Sequence, residues 1–136
     1  MASGIYTKFK YQLMNKAVNL TSDTVKCALY NSTHAFTATD TDYTTTNELA
    51  TSGGYTQGGV SLANKSVTEA ATTKFDADDV AWTSSTFTAR HAVLYDTTIH
   101  ATLSNLVGNV DFGSDQSVVS GTFTIVWNAA GIITLA

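Results

Sequence analysis

The spacing of apolar residues changes once along this chain, and this change constrains the fold more than any other feature. In residues 5–18, Tyr6, Phe9 and Leu13 recur at intervals of three and four, which predicts one short helix. In residues 23–31 the interval drops to two, which is the alternation of a strand with one buried face. A single N-terminal helix followed only by strand patterns predicts a mainly β protein.

Further strand candidates follow, and Gly, Asn, Asp and Ser separate them because the chain contains no proline. They cover residues 59–68, 79–83, 89–95, 99–107, 118–127 and 132–135. Ser84 and Ser85 are interpreted as a break between two of these strands. Several short strands, 24 threonines and no second helix are typical of an antiparallel sandwich or barrel. We predict a single domain over residues 1–136: a helix at about 5–18 and an antiparallel, jelly-roll-like β-sandwich over about 23–136.

Residues 31–59 are rich in Thr, Asp, Asn and Gly and poor in aliphatic residues, which predicts a long loop or short edge strands. A loop of this length in a compact domain is usually functional or mobile. Phe36, Tyr43 and Tyr55 lie in it. One interpretation is that these rings dock a protein partner or stack on sugar rings. The other is that they pack the loop onto its own domain.

Charge is low and unevenly distributed. The net charge is −4, yet residues 1–26 carry four lysines against Asp23, a balance of +3, and the remaining residues carry −7. Seven basic residues cannot form the dense positive surface that phosphate binding requires, so we expect no nucleic-acid partner. No apolar stretch approaches 18 residues and no secretory signal opens the chain, so we also expect no membrane partner.

No pattern that carries catalysis or ligand binding is complete. The three histidines do not have zinc-site spacing, and only one cysteine accompanies them. The acidic residues 76–79 lack the Gly and Glu of an EF-hand loop, and the glycine-rich residues 52–59 lack the Lys-Ser/Thr of a phosphate loop. A G-x-S-x-G motif is missing as well. We therefore predict no catalytic residue, no metal and no cofactor, and a protein that is not an enzyme.

Three segments, in order, resemble a family of small virion structural proteins of tailed bacteriophages. They are GIYTKFKYQLMNKAVNLTSDTVKCALYN at the start, GVSLANKSVTEAATTKFDADDVAWTSSTFTARHAVLYD in the middle, and VDFGSDQSVVSGTFTIVWNAAGIITLA at the end. Members of that family are often taken to be head decoration, or cement, proteins. The resemblance covers most of the chain, is weak in residues 31–57, and brings no catalytic residues. It implies a place in the virion, with assembly in the bacterial host cytoplasm.

The leading expectation is a capsid decoration protein on the outer surface of the head. The major capsid protein or other virion proteins would be its partners, and closed homo-oligomers suit a symmetric shell. The alternatives are a tail-fibre or head-fibre module that binds host glycans, and a connector or tail-completion protein. The candidate contact surfaces are the helix and the long loop, with Tyr6, Lys8, Lys10, Phe36, Tyr43 and Tyr55 as candidate contact residues.

Overall fold

A computed structural model describes residues 3–100 and 105–136 of the protein. Its elements, in chain order, are β1 (Gly4–Ile5), α1 (Thr7–Met14), β2 (Val25–Tyr30), β3 (Val60–Ser61), β4 (Ser66–Thr68), β5 (Thr73–Asp76), β6 (Val80–Asp96), β7 (Leu106–Ile125) and β8 (Ile133–Leu135). All strand pairs are antiparallel. The prediction of a mainly β, sandwich-like fold with a short N-terminal helix is confirmed.

The strands form two sheets. The larger has the order β1-β7-β6-β2-β3 and the smaller has the order β4-β5-β8. Phe9 of α1, Leu29 of β2, Phe75 of β5 and Ile133 of β8 belong to one buried apolar cluster. The helix and both sheets therefore share this core.

β6 and β7 form one long hairpin whose register runs from Tyr95 opposite Leu106 to Val80 opposite Ile125. The predicted break at Ser84 and Ser85 is wrong, because the strand continues through it. Ser84 has φ +48°, and the register shifts between Trp82 and Ser85, so the two serines form a β-bulge. Polar residues such as these two serines can form either a bulge within one strand or a break between two. The alternation of apolar residues stops at them in both cases, so it suggested two separate strands.

Three other strand boundaries differ from the prediction. The predicted strand 99–107 begins only at Leu106; residues 101–104 lie outside the described part of the chain. The segment 59–68 contains two separate short strands, β3 and β4. Strand β5 was not predicted, because Phe75 is its one large apolar residue and a single residue defines no period.

The helix is shorter than predicted at both ends. Gly4 and Ile5 pair with β7, so the chain enters as a strand. At the other end Lys16 has φ +61°, the Lys16 amide donates to the Leu13 carbonyl and the Ala17 amide to the Gln12 carbonyl. This is a Schellman motif, which usually contains glycine. Because lysine occupies the left-handed position here, no glycine marks the helix end in the sequence.

Strand β2 and the second half of β6 are covered on both faces. Val25, Cys27 and Leu29 point into the main core, as their alternation predicts. Ala28 and Tyr30 on the opposite face are also buried. Residues 31–59 cover that face through Phe36 and Tyr43, whereas Leu49 and Tyr55 of the same segment pack against the main core. Isolated bridges are the only sheet pairing of this segment among the described residues. These residues are called the long loop below.

Candidate protein-contact surfaces

Aromatic rings attach the long loop to the sheet. The Phe36 ring meets the Tyr6 ring edge-on, with centroids 5.0 Å apart. The Tyr43 ring stacks on Tyr95 of β6, with centroids 4.1 Å apart and an interplanar angle of 11°. Such contacts stabilise a folded state beyond the area they bury. The alternative that the loop rings pack onto their own domain is confirmed.

A buried carboxyl group, Glu48, organises the centre of the long loop. Glu48 is 6% exposed. Its Oε1 accepts hydrogen bonds from the Tyr55 hydroxyl at 2.6 Å and the Gly58 amide at 2.7 Å. Its Oε2 accepts one from the Tyr43 hydroxyl. The Tyr55 hydroxyl also accepts a hydrogen bond from the Leu29 amide of β2 at 2.9 Å. Hydrogen bonds of this cluster therefore connect residues 43–48 and 55–58 of the long loop with strand β2.

Burial keeps the hydroxyls of this cluster protonated. Burial first, and then hydrogen bonding to Glu48, raises the pKa of both Tyr43 and Tyr55 well above the ordinary value for tyrosine. Burial and the nearby Glu48 raise the pKa of Tyr95 to about 12. A tyrosine can donate a hydrogen bond only while it holds its proton. These hydroxyls therefore remain hydrogen-bond donors above the pH at which an exposed tyrosine ionises.

A histidine pair attaches the first part of the long loop. His34 Nε2 lies 3.1 Å from the Asn109 Oδ1 of β7, and the His34 and His91 ring centroids are 4.9 Å apart. His91 is fully buried, and its Nε2 has no hydrogen-bond partner. Burial lowers the pKa of both histidines below the usual value. Both rings are therefore neutral at neutral pH, and they act as packing residues.

Two glycines fix the second part of the long loop. Gly53 has φ +59°, and a Cβ there would lie 2.1 Å from the Thr86 carbonyl oxygen of β6. Gly59 has φ +73°, and a Cβ there would lie 1.9 Å from the Cys27 carbonyl oxygen of β2. Only glycine permits both this backbone conformation and this approach. The loop therefore lies directly on the sheet backbone.

These contacts decide which predicted contact residues are available to a partner. Tyr6 and Tyr55 are each 1% exposed, so their prediction as contact residues is wrong. Tyr55 bonds to Glu48 and to the Leu29 amide, and Tyr6, which precedes α1, packs against Phe36 of the long loop. The sequence did not reveal these distant partners. Phe36 and Tyr43 are half-buried, with rings engaged by Tyr6 and Tyr95.

The long loop still offers a concave polar surface, here called the loop cleft. The cleft has a volume of about 560 Å³, and threonine hydroxyls and the side chains of Asp40 and Asp42 line it. Among the described residues that line it, none is lysine or arginine. Asp40 is exposed at its margin. The cleft is therefore suited to a positively charged group.

A second surface lies on the helix. Phe9 and Gln12 face the core, whereas Tyr11 is 60% and Met14 is 89% exposed on the opposite side. Thr7, Lys10, Tyr11 and Met14, with Lys8 at the margin, are called the outer helix face. Lys8 Nζ lies 4.7 Å from the Tyr11 ring centroid. The structure thus brings the predicted Lys8 and Lys10 together with Tyr11 and Met14.

Tyr11 and Met14 were not predicted as contact residues, although the sequence contains a signal for them. They lie three residues apart, out of phase with Phe9 and Leu13, so helical spacing places them on the side away from the core. Exposed apolar side chains flanked by charged ones are typical of protein interfaces.

Neither a metal-binding group of side chains nor a membrane-spanning helix is found among the described residues. Within residues 3–100 and 105–136, no group of three or more His, Cys, Asp or Glu side chains is arranged to hold a metal ion. In the same ranges, no helix is long and apolar enough to cross a bilayer. Comparison of the chain with models of protein families, with curated protein sequences and with solved structures found no match.

Proposed function

We propose that this protein is a virion structural protein, and specifically a decoration protein that binds the outer surface of a bacteriophage head through its long loop. The observation that carries the proposal is the attachment of that loop by Glu48 and its tyrosine donors. A loop that is already held in place loses little conformational entropy when a partner binds. The exposed residues of the loop then act as a prepared contact surface.

Charge supports the choice of partner and of side. The loop cleft presents Asp40 and Asp42 and suits a lysine or arginine of the major capsid protein. Beyond residue 26 the chain carries a net −7, which favours the outer surface of a shell over its DNA-facing surface. Repetition of one weak contact over a symmetric lattice then gives firm attachment, because neighbouring contacts act at high effective concentration.

The glycan-binding alternative rested on the aromatic rings and the many hydroxyls of the long loop. Tyr55 is buried, and the Phe36 and Tyr43 rings are half-buried against Tyr6 and Tyr95, so less ring surface is left for a sugar than the sequence suggested. No observation on the described residues separately favours a connector or tail-completion role. Decoration of the head is therefore the function we retain.

Binding to heads assembled without this protein tests the proposal. Purified protein is added to such heads, and co-sedimentation measures the bound fraction against concentration. We expect saturable binding of the wild type, weakened about tenfold by Asp40→Lys, which opposes a cation in the loop cleft. Glu69→Lys reverses an exposed charge outside the loop and is the matched control.

Failure has two distinct forms. If the wild type does not bind the heads, the decoration role is refuted. If Asp40→Lys and Glu69→Lys bind as the wild type does, the loop cleft is refuted as the contact. Circular dichroism of each variant establishes that it is folded.

A further inference from the structure

An apolar groove runs beside β7, and none of the described residues that line it belongs to the long loop. It has a volume of about 600 Å³, and one face of β7 and the segment 126–132 form its walls. Its apolar lining includes Phe112, Val118, Trp127 and Ile132, all half-buried. We call it the β7 groove. Half-buried aromatic and aliphatic side chains in a groove favour the docking of an apolar surface.

Acidic residues lie at both ends of the β7 groove. At one end Asp115 is exposed next to Gln116, which lines the groove. At the other end, the Trp127 amide donates to Asp79 Oδ1 at 2.9 Å, and Trp127 Nε1 donates to the Asp78 carbonyl at 3.0 Å. The Asp79 side chain is therefore beside the groove, and so is the backbone of Asp78, whose carboxylate accepts a hydrogen bond from Asn64 Nδ2 at 2.6 Å.

A lysine near that end does not remove the negative charge. Lys74 Nζ donates to the Ala129 carbonyl at 2.9 Å and lies 3.7 Å from Asp76 Oδ2. It is thus paired with an acid of its own. Near the other end, Arg90 interacts electrostatically with Asp115 but is paired with Asp111, with Nε 2.6 Å from Asp111 Oδ1. The carboxylates named at the two ends therefore outnumber the cations named there.

The outer helix face has the complementary arrangement. Tyr11 and Met14 form its apolar centre. Lys8 and Lys10 lie near the first turn, and Lys16 follows the last turn. Cations thus lie at both ends of an apolar centre, as carboxylates do in the groove. This helix cannot fill the groove of its own chain through that face, because Phe9 and Gln12 hold its inner face on the core.

We propose that the outer helix face of one copy docks in the β7 groove of a second copy. Lys8 and Lys10 then lie toward Asp78 and Asp79, and Lys16 lies toward Asp115. The charge match selects a second copy as the occupant, since the basic part of this chain is complementary to its acidic part. This orientation places the two-lysine end at the two-carboxylate end.

Two different surfaces meet in this contact, so it is heterologous and a rotation that closes it gives a ring. An eight-residue helix is only about 12 Å long, and one such contact buries less than the ~800 Å² per partner of a standard interface. Each contact is therefore weak alone, and the closed ring is the stable form because each copy makes two contacts. The long loop lies outside the contact and stays available to a head.

Sedimentation velocity of the full-length protein, free of heads, tests the inference over a range of concentration and salt. We expect the wild type to associate reversibly, with weaker association at high salt because exposed charges are screened. Met14→Glu places a charge at the apolar centre and should weaken association by more than about tenfold. Val119→Glu is the matched control, since Val119 is 78% exposed and does not line the groove.

Charge reversal tests the pairing itself. Lys16→Glu and Asp115→Lys should each weaken association about fivefold, and the double variant Lys16→Glu/Asp115→Lys should restore it. A wild type that stays monomeric, a Met14→Glu that associates like Val119→Glu, or a double variant without restoration each refutes the inference. None of these results affects the head-binding assay, so the two proposals fail separately.

Discussion

Replacement of Asp96 by asparagine should make the fold more stable at high pH and leave it nearly unchanged at low pH. Asp96 is fully buried at the end of β6. Its Oδ1 accepts hydrogen bonds from the Thr98 amide at 2.8 Å and the Ile99 amide at 3.3 Å. No N–H group donates to its Oδ2, and the carboxyl group of Asp23 is the neighbour with which Asp96 forms a side-chain hydrogen bond. Two carboxylates cannot form such a bond, so Asp96 must hold a proton to donate it.

The magnitude follows from the pKa of this buried carboxyl group. Burial first, and then Asp23, raise the pKa of Asp96 from 3.8 to about 7. The folded protein therefore holds a proton that the unfolded chain releases. The stabilisation is fully present below pH 3.8 and is lost as pH rises through about 7. A shift of about three units corresponds to roughly 4 kcal/mol, of which between about 2 and 3 kcal/mol falls between pH 5 and pH 8.

Asparagine mimics the protonated carboxyl group at every pH. Its amide donates to Asp23, and its oxygen accepts from the Thr98 and Ile99 amides. Urea unfolding of the wild type and Asp96→Asn at pH 5 and pH 8 gives the free energy of unfolding of each. We expect the variant to gain between about 2 and 3 kcal/mol on the wild type across this interval. His34 and His91 act in the opposite direction, because their lowered pKa values reduce stability as pH falls, but they cancel in the comparison.

Glu69→Gln is the control, because it also replaces a carboxylate with an amide, at an exposed site outside the proposed contacts. We expect the pH dependence of the Asp96→Asn difference to exceed that of this control. A constant difference between Asp96→Asn and the wild type would mean that no shared proton exists, and the reasoning would be refuted.

Three further predictions concern single contacts. Gly59→Ala should lower the free energy of unfolding, measured in urea, by at least about 3 kcal/mol because the new Cβ meets the Cys27 carbonyl oxygen. Gly113→Ala, at φ +85° with open space around it, should lower it by about 1 kcal/mol. Equal losses in the two variants would contradict the close approach at Gly59. Tyr55→Phe should cost between about 1 and 3 kcal/mol because the buried Leu29 amide loses its acceptor, and thermal unfolding that shows no loss would contradict this. The Arg90 guanidinium, with Nε 2.6 Å from Asp111 Oδ1, holds the pKa of Asp111 at about 2. In Arg90→Gln, NMR titration of the carboxyl groups should give a higher pKa for Asp111. An unchanged pKa would show that Arg90 does not cause the low pKa of Asp111.

The sequence predicted the elements whose pattern is local. Strand β2 lies within the predicted segment 23–31 because its core-facing residues alternate without interruption. The helix was identified for the same reason, but its end was not, because a left-handed Lys16 looks like any other lysine. The continuity of β6 was also missed, since Ser84 and Ser85 suggest a turn when their β7 partners are unknown.

The contact surfaces were less predictable because they depend on distant residues. Nothing near Tyr43 shows that it will stack on Tyr95, and nothing near Tyr55 shows that its hydroxyl will reach the Leu29 amide. The low density of aliphatic residues correctly predicted a loop at 31–59, but it cannot distinguish a packed loop from a free one. Lys8 and Lys10 were predicted as contact residues from their expected exposure, and this prediction does not depend on such pairing.

An electron-microscopy map of filled phage heads that carry this protein would locate the protein on the particle. We expect density for this fold on the outer surface of the head, with the long loop against the major capsid protein and the loop cleft over a basic side chain. Density for this chain only in the neck, tail or fibres, or a head-bound copy whose long loop points away from the shell, would contradict it.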